Sequence, residues 1–164
     1  MSKKHGDEAA LLYAKLHPLP LTIIRPSQFY GVGDACRRNQ PFLYTLMDKA
    51  QAGQDIEFWG RHDAQRNFIH VHDVADMLAR VVRTRTQGVF TCCHPENLRF
   101  SQIAQSAVNA FGSSGRIRFL HDKPDTLDNI FAYDAALYQA LGHYPRISMA
   151  RGMQLEAEHR RGQA

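Results

Sequence analysis

Ser27, Gln28 and Tyr30 are the first side chains on which chemistry could be built. They follow Leu21 to Ile24, an apolar run rich in β-branching and too short for a helix, which predicts a strand buried on both faces. Arg25-Pro26 ends that run, because proline brings no N–H to a central ladder. Polar side chains at the carboxyl end of a buried strand stand where open α/β sheets place their ligands. Gly31 and Gly33 then turn the chain away. An ordinary strand-to-loop transition accounts for the same spacing, since turn residues commonly follow strands.

Other reactive residue types form weaker patterns. His70 and His72 share one face at period two, with Asp73 beside them and His94 further on. These are metal-ligand types, but no close-spaced second pair completes a set, so no metal is expected. Ser27 and Ser101 lack a Gly-x-Ser-x-Gly context, which leaves a Ser-His-Asp hydrolase without support. Cys36, Cys92 and Cys93 are odd in number and two are adjacent, against a disulfide framework. Cys92-Cys93 falls in a predicted strand at 88–93 and reads as a pair of small buried hydrophobes.

The elements that must position these residues follow from periodicity. Residues 2–16 predict a helix with Ala9, Ala10, Leu12, Tyr13 and Leu16 on one stripe and Ser2 as its cap. His17-Pro18-Leu19-Pro20 ends it. Pro41 opens a second helix reaching Ala52, and short strands are expected at 55–60 and 66–71. Val74, Met77, Leu78, Val81 and Val82 define an amphipathic helix with Asp73 near its start. Ser101 is the expected N-cap of the next helix. A strand at 116–120, an irregular stretch at 121–131, a helix closed by Gly142 and a last helix from Ser148 to Arg160 complete the chain. A helix feeding an apolar strand through a short loop is the grammar of a parallel α/β sheet.

Composition narrows the function classes. The 164 residues suffice for one domain, and an apolar share of 44% is ordinary for a globular protein. No apolar run approaches the ~20 residues of a membrane span. The start, Met-Ser-Lys-Lys-His, does not lead into a signal-peptide core, so a cytoplasmic location is expected. The net charge of +4 is scattered over Arg37-Arg38, Arg83, Arg85, Arg116, Arg118 and Arg160-Arg161. Without a dense basic run, neither nucleic acid nor membrane is an expected partner.

Four segments carry a family resemblance. They are Ser2-Lys3 with Glu8; Arg25-Pro26-Ser27-Gln28-Phe29-Tyr30-Gly31; Gln65-Arg66-Asn67-Phe68-Ile69-His70-Val71-His72-Asp73-Val74-Ala75; and Leu141-Gly142-His143-Tyr144-Pro145. In order, they resemble the Ser-Lys and downstream Glu of the Tyr-x-x-x-Lys helix, then Arg-x-x-Asn-x-Tyr-Gly, Arg-Asp-Phe-x-x-Val-x-Asp-Val-Ala, and the late Leu-Gly-(aromatic)-x-Pro. That is the pattern of the C-terminal portion of an extended short-chain dehydrogenase/reductase, in the NAD-dependent epimerase/dehydratase family of nucleotide-sugar enzymes.

The resemblance implies roles residue by residue. Lys3 would be the motif lysine, holding the nicotinamide ribose and lowering the pKa of a catalytic tyrosine, since an ammonium near a phenol favours phenolate. That tyrosine would lie four positions before Lys3, ahead of Met1. Pro26 and Ser27 would face the nicotinamide end of NAD or NADP. Gln28 would replace the family Asn near the substrate diphosphate, and Arg66 would clamp that diphosphate through its bidentate geometry. Asn67 stands for the usual Asp. Lys123 lies where the family often has a second phosphate-binding Arg.

No Gly-x-x-Gly-x-x-Gly occurs in the chain. The expected fold is therefore α/β: the last helix and strand of a Rossmann-type domain at 1–34, and a mixed substrate-binding lobe at 35–164. The expected function is the substrate-binding portion of a nucleotide-sugar epimerase or dehydratase, without the dinucleotide-binding half and inactive alone. A homo-oligomer, or association with the missing half, is the expected assembly. The competing expectation is a non-enzymatic remnant that serves as a binding or dimerisation module.

Overall fold

In a computed structural model, which describes residues 2–163, the chain alternates helices with short, mostly parallel strands. Helix α1 (Lys3–Leu16) starts where predicted, with Ser2 Oγ accepting the Lys4 N–H at 3.2 Å. Its apolar stripe faces outward: Leu12 and Tyr13 are each 58% exposed, and no residue of α1 is buried. An ion pair from Arg25 to Asp7, 2.7 Å, ties it to the next strand.

Strand β1 (Thr22–Pro26) pairs in parallel with β6 (Gly88–Cys92), from Thr22 opposite Gly88 to Pro26 opposite Cys92. It is half-buried with Arg25 exposed, not buried on both faces. The reason is its neighbourhood: among the described residues β6 is the one strand paired with it. β2 (Gln28–Tyr30) pairs in parallel with β5 (Phe68–His70), and β3 (Ile56–Trp59) with β8 (Ile117–Leu120). β4 (Gln65–Arg66) and β7 (Leu98–Arg99) form a short antiparallel pair.

Two apolar clusters hold these pieces together. The larger joins α2 (Pro41–Gln51), β3, α4 (Phe100–Phe111) and α6 (Met149–Gln163) through Leu43, Met47, Phe58, Phe100, Ile103 and Met153. Strand β3 shows the period-two logic plainly, with Ile56 and Phe58 buried and Glu57 and Trp59 exposed. The smaller cluster sets α3 (Val71–Thr84) and α5 (Ala136–Leu141) against the sheet through Ile69, Met77, Cys92, Leu137 and Tyr138. Each such side chain stabilises by roughly 1.5–3 kcal/mol on burial. Cys92 and Cys93 are free thiols in this interior, and burial pushes Cys92 up to about 11.

One expected cap and one expected helix end differ. Arg99, not Ser101, is the N-cap of α4, because Gln102 reaches back to the Arg99 N–H at 2.8 Å. Ser101 is occupied elsewhere: its N–H and hydroxyl both donate to Asp63, at 3.0 and 2.5 Å. The last helix also runs on to Gln163, past the expected end at Arg160.

Candidate substrate cleft

The cleft lies beside the point where one strand gives way to the next, with Gln28 on its lining and Pro26 and Ser27 just behind it in sequence. Ser27 donates its N–H to the Cys92 carbonyl at 3.0 Å, which extends the β1–β6 ladder by one step. One residue later, Gln28 is already paired with Phe68 on β5. Ser27-Gln28 therefore stands at a change of strand partners, at the carboxyl end of β1, the end at which open α/β sheets place their ligands. Ser27 is buried, and neither its Oγ nor Gln28 Oε1 has a hydrogen-bond partner among the described residues. Buried polar atoms left this way are uncommon and call for an explanation.

Gln28 and Arg66 line one cleft of about 410 Å³, together with Asn39, Gln40, Glu57 and Trp59. Arg66 is half-buried over the Phe100 ring, 5.1 Å from its centroid. Its Nη1 donates to the carbonyls of Gln65 and Leu127, at 3.0 and 2.6 Å. Those bonds fix the guanidinium plane, and its other donors have no partner among the described residues. No carboxylate lies within ion-pair distance of it among the described residues, and burial holds its pKa below the ordinary arginine range. The cation is thus available to a ligand. Helix α2 opens on the same cleft: Gln40 is its N-cap without a side-chain bond, and Pro41 is its first residue. The free N–H groups of a first turn favour an anion.

The segment read as irregular forms a strap over this site. Asp125 Oδ1 accepts the N–H groups of Arg61 and His62 at 2.6 and 2.9 Å. Asp128 Oδ1 accepts that of Gln65 at 2.8 Å and meets His62 Nε2 at 2.8 Å. These backbone donors hold both carboxyls below the usual carboxylate range. Gly60, at φ +85°, admits the strap, because a side chain there would overlap the Asp125 backbone. The strap delivers Thr126 to the cleft and the Leu127 carbonyl to Arg66. Lys123 does not line the cleft; it is exposed and sits 3.5 Å from Asp122. Lys3 is exposed in the first turn of α1, also outside the lining.

The remaining motif residues prove to be braces. Asn67, 1% exposed, bonds the backbone of His94 and Glu96 and the side chain of Asn97. Asp73 accepts the N–H groups of Arg146 and Ile147, each at 3.0 Å. His70 caps α3, with Nδ1 accepting the His72 N–H at 3.2 Å, and burial lowers its pKa to about 4, so the ring is neutral. Among the described residues, no group of three His, Cys, Asp or Glu side chains is placed to hold a metal ion. No described helix is long and apolar enough to cross a membrane.

The model of the NAD dependent epimerase/dehydratase family matches residues 1–93, more than half of the sequence. The chain belongs to that family. A dTDP-4-dehydro-6-deoxy-D-allose reductase from a Streptomyces species is 28% identical over 126 residues, 76% of this chain and 38% of the relative. The matched segment thus spans well under half the length of that relative. UDP-glucose 4-epimerase from Thermotoga maritima, solved with UDP-glucose, shares the fold at a TM-score of 0.77 and 19% identity, covering 98% of this chain and 52% of the other. UDP-glucose 4-epimerase from Thermus thermophilus, solved with NAD, does so at 0.75 and 15%, covering 96% and 52%. The α/β, Rossmann-type class expected from the sequence is the observed one.

Proposed function

We propose that this chain supplies the sugar-nucleotide-binding side of an NAD(P)-dependent epimerase, dehydratase or reductase. The observation that carries the reading is the meeting of Gln28 and Arg66 in one cleft, beside the uncapped start of α2. A diphosphate fits that donor set. Arg66 supplies fixed charge, α2 supplies backbone N–H groups, and Gln28 supplies an amide one methylene longer than the family Asn. Trp59, 58% exposed at the rim, offers a flat face for a nucleobase.

Ser27 is where the residues present bear on a cofactor. Its buried, unpartnered hydroxyl beside Pro26 suits the nicotinamide end of NAD or NADP. When bound, that cofactor supplies hydride transfer. The glycine fingerprint for its pyrophosphate is not within these 164 residues, and Lys3 faces solvent. The part assigned to this chain is to bind and orient a sugar nucleotide, and the 164 residues by themselves turn none over. Lys123 is left out of the ligand set.

Calorimetric titration with UDP-glucose and dTDP-glucose tests the proposal. Arg66→Ala is expected to weaken binding about tenfold or more, the worth of a charge-assisted hydrogen bond. Equal binding by the wild-type and Arg66→Ala chains, or rapid NAD-dependent turnover by the 164 residues, would overturn it. A second reading, a dimerisation module without a ligand, is favoured by the outward apolar stripe of α1. Self-association with no nucleotide binding would support that reading instead.

A further inference from the structure

The turn leading into the cleft is pinned from behind by the last helix. The Gly33 N–H donates to Glu156 Oε2 at 2.7 Å, across 123 residues of sequence. Glu156 is 2% exposed, and its other oxygen accepts Arg160 Nε at 2.7 Å. Arg160 continues to Asp48 at 2.9 Å and Gln51 at 2.8 Å. Arg37 closes the chain of charges, donating to Asp48 at 2.6 Å and to Asp34 at 2.8 Å. One ionic network therefore joins α6, α2 and the turn at 33–37, around a polar hollow of about 420 Å³.

The network reaches the cleft through a short path. Gly33 has φ +78°, a conformation open to glycine, which does not by itself hold one shape. Upstream, the Tyr44 hydroxyl donates to the Gly31 carbonyl at 2.6 Å. Downstream, the Arg37 N–H donates to the Asp34 carbonyl at 3.0 Å, and those of Asn39 and Gln40 to the Cys36 carbonyl at 3.1 and 3.0 Å. Asn39 and Gln40 line the cleft with Gln28 and Arg66. Burying a carboxylate with an arginine is weak evidence for stability in itself. Here the buried oxygen accepts a backbone N–H at the glycine whose positive φ turns the chain.

We infer that Glu156 is a positioning residue for the sugar-nucleotide cleft. It acts through the Gly33 N–H to hold the 33–40 turn, and so Asn39 and Gln40, in the arrangement a ligand meets. This rests on the reading of the cleft given above.

Amide exchange and titration on the full chain separate the two ideas. Glu156→Ala is expected to speed exchange at Gly33, Asn39 and Gln40 together by about tenfold or more, while Met77 and Val81 keep their rates. It is also expected to weaken UDP-glucose or dTDP-glucose binding about tenfold. Glu156→Gln keeps an acceptor for the Gly33 N–H and should recover most of the affinity. Leu137→Ala, in the other apolar cluster, should lower thermal stability without changing affinity. Faster exchange confined to Gly33, or equal loss of affinity in Leu137→Ala, would overturn the inference. If Glu156→Ala does not fold, Glu156→Asp, one methylene shorter and so withdrawn from the Gly33 N–H, carries the exchange test: all three amides must speed up together, and a rise at Gly33 alone sinks it. If the wild-type chain binds neither nucleotide, the cleft reading fails, while exchange at Asn39 and Gln40 still decides the brace.

Discussion

At Asn67 a single atom separates this chain from the aspartate of the motif it resembles. The Nδ2 group donates to the carbonyls of His94 and Glu96, at 2.9 and 3.1 Å, and to Asn97 Oδ1 at 3.1 Å. The Oδ1 atom accepts the His94 N–H at 3.0 Å. A carboxylate would place oxygen against three oxygens in a buried site. Asn67→Asp is therefore expected to cost about 3 kcal/mol at neutral pH, as a buried charge facing acceptors. The introduced carboxyl would have a folded-state pKa raised above its unfolded value, so the loss should shrink as pH falls and the protonated acid regains a donor. Urea denaturation at pH 7 and pH 5 measures both; an unchanged midpoint at pH 7 would refute the staple. Gln28 is nominated by residue type and position after a strand, whereas Arg66 is nominated by the family resemblance, and the structure places both on one cleft. The staple was not legible in the sequence, since its partners lie in a loop near residue 96 that carries no periodic signal. For Lys123 the resemblance gives a position but not a register: Asp125 and Asp128 fix the strap so that Thr126 lines the cleft and Lys123 does not.

Between elements, the decisive contacts are carboxylates that accept backbone N–H groups from distant segments. Asp73, in the first turn of α3, holds the Arg146 and Ile147 amides just ahead of α6. Its sequence position suggests a helix-start residue, and the dipole of α3 does favour a negative charge there. The structure adds that it anchors the approach to the helix carrying Glu156 and Arg160. Asp73 is 5% exposed, so its two charge-assisted bonds act with little solvent screening. Asp73→Ala is expected to lose about 2–3 kcal/mol. Asp73→Asn keeps one acceptor and should lose roughly half as much. Denaturant unfolding checks the totals, and amide exchange at Arg146 and Ile147 checks the place; protection there that survives Asp73→Ala would reject the anchor. Element type was largely readable from the chain, because apolar spacing of two or of three-to-four residues marks β3, α3 and α4 directly. Caps were less so: Ser101 has the right side chain for a cap, yet Asp63 claims it across the fold.

On the scale of the whole molecule, stability is unevenly distributed. The cluster built from α2, β3, α4 and α6 contains many fully buried side chains, whereas α1 contains none. The sequence shows an amphipathic α1 but not what its stripe would meet, since period alone names a face and never its neighbour. Strand pairing was equally silent: nothing in residues 22–26 says that 88–92 will lie alongside. Leu12, Tyr13 and Leu16 are 58%, 58% and 65% exposed, and the Arg25 to Asp7 ion pair is partly solvated. Surface ion pairs contribute about 0–1 kcal/mol, too little to hold a fourteen-residue helix against fraying. Amides of α1 should therefore exchange through local opening, about a hundredfold faster than those of α2 and α4, which open with the core. Hydrogen–deuterium exchange with mass spectrometry resolves these segments. Protection of α1 equal to that of α4 in dilute solution would show that the helix is held by more than the contacts described. Protection that rises with protein concentration would place the stripe in a contact between copies, the homo-oligomer that is one of the two assemblies expected from the sequence. Leu12→Glu with Leu16→Glu should then abolish that rise without altering exchange in α2 or α4.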